Sequence, residues 1–304
     1  MTVVLALDVG GTKLAAGLVD DEGTVLVHDR VPTPVSLDPE ELWGALAGLV
    51  DGLLERPGAT AYAAIGVGCG GPMEWPAGRV SPINIHGWRG FPLLDRVRER
   101  YADGRPAVIH NDAVALALAE HRWGAGRGYD HVLGMVVSTG VGGGLVVGGR
   151  RVDGGTGNAG HVGHIVVDPL GPACPCGGRG CVEAIARGPA LAEYAVSRGW
   201  QGEQTGLAVA EGGRAGDPAC LAAFERAGRA VGLGIVSACA VLDLDVVTIG
   251  GGVAQSGDLF FAPVLRTFDE YAGLAFIRRV RILPAQLGPL AGLSGAAALV
   301  LDAL

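Results

Sequence analysis

Hydrophobic positions fall into short blocks punctuated by glycine from the first residues of the chain. VVLALDVGGTKLAAGLVDDEGTVLVHDRV runs apolar, turns at glycines, runs apolar, turns at DDEG and runs apolar again. That pattern predicts three strands in a meander. The period then changes. Asp38 before Pro39, with Glu41 three positions on, reads as an N-cap, a first-turn proline and a capping box. Leu42, Leu46, Leu49, Val50 and Leu53 follow at helical spacing. AAIGVGCGG reads as a buried strand and NDAVALALAEHRW as a helix. Near residue 131 the opening pattern returns in HVLGMVVSTGVGGGLVVGGRRV. Asp217 and Pro218 then open a helix to about Leu242, DVVTIGGGV is a buried strand ending in glycines, and LSGAAALVLDAL is a last helix.

A chain of 304 residues is long for one core and suggests two packed domains. The repeated strand, glycine turn, strand predicts two similar α/β halves facing each other. Each would present a glycine turn toward a shared cleft, with the NDAVALALAEHRW helix linking them.

Composition narrows the partners. Hydrophobic residues make up 49% and charged residues 18%, with mean hydropathy +0.37, so extended disorder is not expected. The formal net charge is −8 and Lys and Arg form no run, which disfavours nucleic acid and anionic membrane as partners. No uncharged apolar stretch reaches the roughly 20 residues that a bilayer requires, since VGLGIVSACAVL stops at Asp243. MTVVLALDVG lacks a basic flank and is interrupted by Asp8, so the expectation is a cytoplasmic protein without a signal peptide.

Three glycine turns carry candidate chemistry. DVGGTK, Asp8 to Lys13, offers a backbone nest for an anion and a carboxylate suited to hydrated magnesium. A tight hairpin with a surface Asp accounts equally well for that stretch alone. STGVGGG, Ser138 to Gly144, adds two hydroxyls to a nest, and TIGGGV, Thr248 to Val253, leaves bare backbone for something flat. Together they suggest a nucleotide, although none has the P-loop or dinucleotide spacing. Of six cysteines, Cys69, Cys220 and Cys239 are scattered in apolar or helical contexts. Cys174, Cys176 and Cys181 cluster in CPCGGRGC, and with His164 they make a tetrahedral zinc set filled by protein, hence structural. A disulfide with a spare thiol and an iron–sulfur cluster are the alternatives.

DVGGTK, HNDA, STGVGGG, GH followed by CPCGGRGCVE, and TIGGGV occur in an order and spacing that resembles the ROK family of sugar kinases and repressors. The resemblance covers nearly the whole chain. It implies an α/β, two-lobed actin-like or hexokinase-like ATPase fold with duplicated ribonuclease H-like halves. The expected division is a small lobe over 1–115, joined by the C-terminal helix 291–304, and a large lobe over 116–290 bearing the zinc loop. It also implies ATP-dependent transfer of the γ-phosphoryl group to a hexose hydroxyl, at C6 of glucose or a related sugar.

Carried over residue by residue, Asp8, Gly10, Gly11 and Thr12 would lie at the ATP phosphates and magnesium, with Lys13 beside them. Thr139 and Gly140 would form a second phosphate loop, and Gly251 and Gly252 would border the adenosine. Asn84, Asn111, His164 and Glu183 would read the sugar, and Asp112 would be the base. Asp112 precedes an apolar helix, so it could cap that helix while facing the cleft, or cap it and nothing more. Family kinases have AGE-x-GH where this chain has AGH-x-GH, so His161 replaces an acceptor-only carboxylate with a group that has one donor and one acceptor. His161 is assigned to the sugar pocket, with a fifth zinc ligand or an idle loop residue as alternatives. The change admits mannose, N-acetylmannosamine or another hexose. DVGGTK starts at residue 8, so the DNA-binding segment of the repressor branch is not expected. A non-catalytic sugar sensor is the rival reading, polyphosphate is a possible second donor, and a homodimer or homotetramer is the expected assembly.

Overall fold

The computed structural model describes residues 1–56 and 61–301. The chain divides into two compact units. The first comprises Met1–Arg127, Arg151–Ala159 and Leu287–Leu304, and the second Gly128–Arg150 and Gly160–Gln286. The last three residues of the expected C-terminal helix lie outside the described residues.

In the first unit, β1 (Val3–Val9), β2 (Lys13–Asp20) and β3 (Val25–Pro32) form the predicted meander. Helix α1 (Pro39–Leu54), β4 (Ala64–Cys69), the short ribbon β5 (Met73–Glu74) and β6 (Arg79–Val80), α2 (Leu93–Val97), β7 (Ala107–Asn111) and α3 (Asp112–Trp123) follow. The sheet order is β3-β2-β1-β4-β7, with β1, β4 and β7 parallel and the meander antiparallel. Alternation along β1 assigns its two faces. Leu5, Leu7 and Val9 enter the core shared with α1, while Val4 and Ala6 enter a second core with the C-terminal helix, Ala291–Leu301. That helix approaches unusually closely because Gly66 has no side chain: a Cβ there would overlap the Ala296 carbonyl.

Two local expectations change. Asp38 caps α1 by accepting from Glu40 N–H, but the capping box does not form; Glu41 instead accepts from the Ser36 hydroxyl, whose oxygen receives Asp38 N–H. The helix expected to link the halves, α3, belongs to the first unit, and the division falls after Arg127 rather than at 115/116. The reason is packing: Gly295 lets the C-terminal helix meet the α3 backbone at Ala115. The fully buried Glu120 accepts Ala125 N–H and Leu287 N–H, tying the end of α3 to the returning chain.

The second unit repeats the scheme. Strands β8 (Val132–Val137), β9 (Val141–Val147) and β10 (Arg150–Arg151) precede α4 (Val182–Ala186), α5 (Gly188–Ser197), α6 (Gly206–Arg214) and α7 (Pro218–Leu242). Then come β11 (Val246–Gly250), α8 (Asp258–Tyr271), α9 (Ala275–Arg278) and β12 (Arg281–Pro284). Its sheet order, β10-β9-β8-β11-β12, has the same antiparallel hairpin beside the same parallel strands. Two sheets of one topology in one chain are the duplicated halves that the repeated glycine pattern predicts. Asp217 caps α7 by accepting Ala219 and Cys220 N–H, and the helix ends at Leu242 as expected. No helix among the described residues is long and apolar enough to cross a membrane.

Candidate active site and metal centre

In the first unit the candidate residues converge at one edge of the sheet. Register aligns Val9 with Cys69 and Cys69 with Asn111, so the ends of β1, β4 and β7 lie side by side. Such carboxyl-end edges are where open parallel sheets bind ligands. The first glycine turn is closed by Gly10 N–H donating to Lys13 O and braced by the Thr33 hydroxyl on Gly10 O. Gly11 sits so close to Asn84 that a Cβ would lie 2.5 Å from the Asn84 Cβ. The turn and the Asn84 loop are therefore one packed feature, and both Gly11 and Asn84 are exposed.

Asp8 continues the β1 face that carries Val4 and Ala6. Its carboxylate emerges against the start of the C-terminal helix, where Gly292 makes room: a Cβ at Gly292 would overlap the carboxylate. Burial, then the charge of Asp112, push the Asp8 pKa from 3.8 up to about 6, against the opposing pull of Lys13. The same two carboxylates, after burial itself, hold the Cys69 thiol far above its usual range. An acidic side chain of β1 whose charge is disfavoured by burial and by Asp112 of α3 suits a divalent cation, whose charge would reverse the penalty. Magnesium is a fitting occupant by donor chemistry.

Asp112 is not the cap of α3. Asn111 is the N-cap, its Oδ1 accepting Ala113 N–H at 2.9 Å, while Asp112 occupies the first helical position with Oδ1 2.8 Å from the same N–H. The Asp112 residue is exposed.

In the second unit, the second and third glycine turns come together. Ser138 N–H donates to Gly140 O, Val253 N–H donates to Val137 O, and Gly251, at φ 96°, packs its Cα on the Val137 backbone. Gly188 N–H donates to Ser138 O at 2.7 Å. Thr139 and Gly252 are exposed beside this cluster. Glu183 accepts Val141 N–H through Oε2 at 2.9 Å, and a Cβ on Gly140 would lie 2.9 Å from that oxygen. The residue expected at the sugar thus also anchors the second glycine turn, a tie invisible in the sequence.

The cysteine motif folds around one point. Ligand atoms of His164, Cys174, Cys176 and Cys181 all lie within 4.8 Å of one another. Cys176 Sγ is 3.9 Å from Cys181 Sγ, and Cys174 Sγ is 3.8 Å from His164 Nδ1. Tetrahedral zinc with bonds of about 2.3 Å needs sulfurs about 3.8 Å apart. All six cysteines are free thiols, which removes the disulfide reading. Burial, then its neighbouring thiols, push the Cys181 thiol to about 12, whereas a backbone N–H from Gly178 lowers Cys176. A cation is what allows such a set to ionise together. Gly180, at φ 65°, faces the Asp168 carbonyl where a Cβ would overlap it, which fixes the turn that presents Cys181. His161 is exposed and stacks on His164 with ring centroids 6.2 Å apart; it is not part of the four-ligand group.

A family model described as the ROK family matches residues 4–303. The glucokinase of Streptomyces coelicolor is 34% identical over 318 aligned positions, covering 98% of this chain and 97% of the relative. The N-acetylmannosamine kinase of Escherichia fergusonii is 38% identical over 298 positions, covering 97% of each. Among solved structures, a ROK family glucokinase from Streptomyces griseus in complex with glucose and AMPPNP superposes with a TM-score of 0.84 at 35% identity, covering 97% of this chain and 98% of that one.

Proposed function

The chain belongs to the ROK family, and from that premise we propose that it is an ATP-dependent hexose kinase acting on the C6 hydroxyl of glucose or a related hexose. One observation carries the reading: Asp8, the first glycine turn, Asn84, Asn111 and Asp112 meet at one edge of one sheet. Asp112, exposed at the start of α3, accepts the proton of the attacking hydroxyl. Asn84 and Asn111 hold the sugar beside it; His161, His164 and Glu183 are the further sugar contacts that the family likeness implies. Gly10, Gly11, Thr12 and Lys13 are the residues for the phosphates, as are Thr139 and Gly140, and Gly251 and Gly252 are those for the adenosine. Magnesium would neutralise charge on the transferring phosphates, with Asp8 holding it through the hydration shell. His164, Cys174, Cys176 and Cys181 would hold a structural zinc, which would stiffen the loop leading into α4 and Glu183. Those thiolates stay reduced in the cytoplasm, where the reading places the protein, as a homodimer or homotetramer.

N-acetylmannosamine is the second acceptor the reading admits. It is favoured by the 38% identity to a kinase of that name and by an imidazole at position 161. The test is ADP release from magnesium ATP over glucose, mannose, N-acetylmannosamine and N-acetylglucosamine, with wild type and His161→Glu compared. The sugar ranking should change in the variant. An unchanged ranking would remove His161 from the pocket, and no ADP release with any hexose would favour a sugar sensor.

A further inference from the structure

The residue before the Asn111–Asp112 pair is a histidine with no exposure to solvent, at the end of the parallel strand β7. Both ring nitrogens of His110 are engaged. Asn111 N–H donates to Nδ1 at 2.8 Å, so Nδ1 is bare and the proton sits on Nε2. Nε2–H then donates to Asp153 Oδ1 at 3.1 Å. The Arg151 guanidinium holds that carboxylate, with Nε 2.5 Å from the same oxygen. The Trp75 and imidazole ring centroids are 5.8 Å apart, and Gly157 closes against Trp75, where a Cβ would lie 2.5 Å from the Trp75 Cβ. This explains why Arg151–Ala159 returns to the first unit after the β9 hairpin: Asp153 and Gly157 dock it onto the strand that bears Asn111.

The Asp153 carboxylate, itself held by Arg151, brings a segment otherwise remote in sequence onto the end of β7 beside Asn111. The Nδ1 contact falls on the backbone N–H of Asn111, the last residue of β7 and the cap of α3, whose side chain sets the first turn of α3 and hence Asp112. We infer that His110, with Asp153 and Arg151 behind it, is a positioning residue for phosphoryl transfer: it locks the Asn111–Asp112 corner that holds the sugar and its base. The inference rests on the kinase reading above. Small displacements of such a corner are costly because the attacking oxygen must stay aligned.

The experiment compares steady-state kinetics of wild type, His110→Leu, His110→Asn, Asp153→Ala and Asp153→Asn with magnesium ATP and the best hexose, alongside thermal unfolding of each. His110→Leu and Asp153→Ala should lower kcat by about 10- to 100-fold and raise the hexose KM, leaving the ATP KM within about two-fold. His110→Asn should recover most of the loss, because its amide oxygen can take the place of Nδ1 and accept Asn111 N–H. Asp153→Asn should fall between wild type and Asp153→Ala, since it keeps an acceptor for Nε2–H. Should His110→Leu fail to fold, Asp153→Ala and its recovery by Asp153→Asn decide the matter. Folded variants with kcat and hexose KM within two-fold of wild type, or conservative variants no better than the truncations, would overturn the inference. Inactivity of wild type with every hexose would instead sink the kinase reading. Imidazole ¹⁵N shifts of His110 separate the two: an Nδ1-protonated or rapidly averaging ring defeats the positioning role whatever the reaction.

Discussion

Replacing Asp8 by Asn should make the resting protein more stable and the enzyme worse. The carboxylate sits against Gly292, and burial and the charge of Asp112 raise its pKa from 3.8 to about 6. A raised carboxylate pKa means the folded state holds the proton more tightly than the unfolded chain. Stability attributable to Asp8 is therefore whole below about pH 3.8, declines as pH rises, and is lost by about pH 6. A displacement from 3.8 to about 6 corresponds to about 3 kcal/mol at neutral pH, an upper bound because the residue is partly exposed. Asn keeps the shape and has no charge to desolvate. For a unit of roughly 150 residues the gain should appear as a rise of about 5–10 °C in its unfolding midpoint. The assay is calorimetric unfolding of both proteins between pH 4.5 and 8 without metal or nucleotide. The difference should be small at the acid end and reach its full size above pH 6. Adding magnesium and a non-hydrolysable ATP analogue should raise the wild-type midpoint and leave the variant nearly unmoved. A variant less stable than wild type at pH 8, or a difference that ignores pH, would refute the placement of Asp8 as a desolvated carboxylate awaiting a cation.

Other expectations follow from single contacts. Purified protein should carry about one zinc per chain, and Gly180→Ala should lose it, because the new Cβ meets the Asp168 carbonyl at a positive φ; metal analysis checks both. Gly66→Ala should displace the C-terminal helix from β4, lowering the unfolding midpoint and weakening nucleotide binding through Gly292 and Asp8. Glu120→Leu leaves Ala125 N–H and Leu287 N–H without their carboxylate, at about 1–3 kcal/mol for each buried donor, measurable by denaturant unfolding.

What could be read in the sequence was local. The hairpin pattern around DVGGTK and STGVGGG, the Asp217–Pro218 helix start and the CPCGGRGC ligand spacing are each written within a few dozen residues, and the fold realises them. What escaped reading joins residues far apart along the chain. Nothing in the sequence says that Gly292 accommodates Asp8, that Glu183 braces Val141, or that Asp153 returns to His110. Capping misled for a physical reason. Asn111 and Asp112 are both good caps, and only the backbone turn at the end of β7 decides that Asn111 takes the position. The division after Arg127 escaped likewise, because α3 looks like a connector until its packing on the C-terminal helix is seen.

The most direct test pairs two measurements on wild type and Asp112→Asn: hexose binding by calorimetry, and ADP release with magnesium ATP and that hexose. Wild type should bind and turn over. The variant should bind with a Kd within a few-fold of wild type while turnover falls by about 10²- to 10⁴-fold. Undiminished turnover in the variant, or a wild type that binds hexose and releases no ADP, would contradict Asp112 as the base of a hexose kinase.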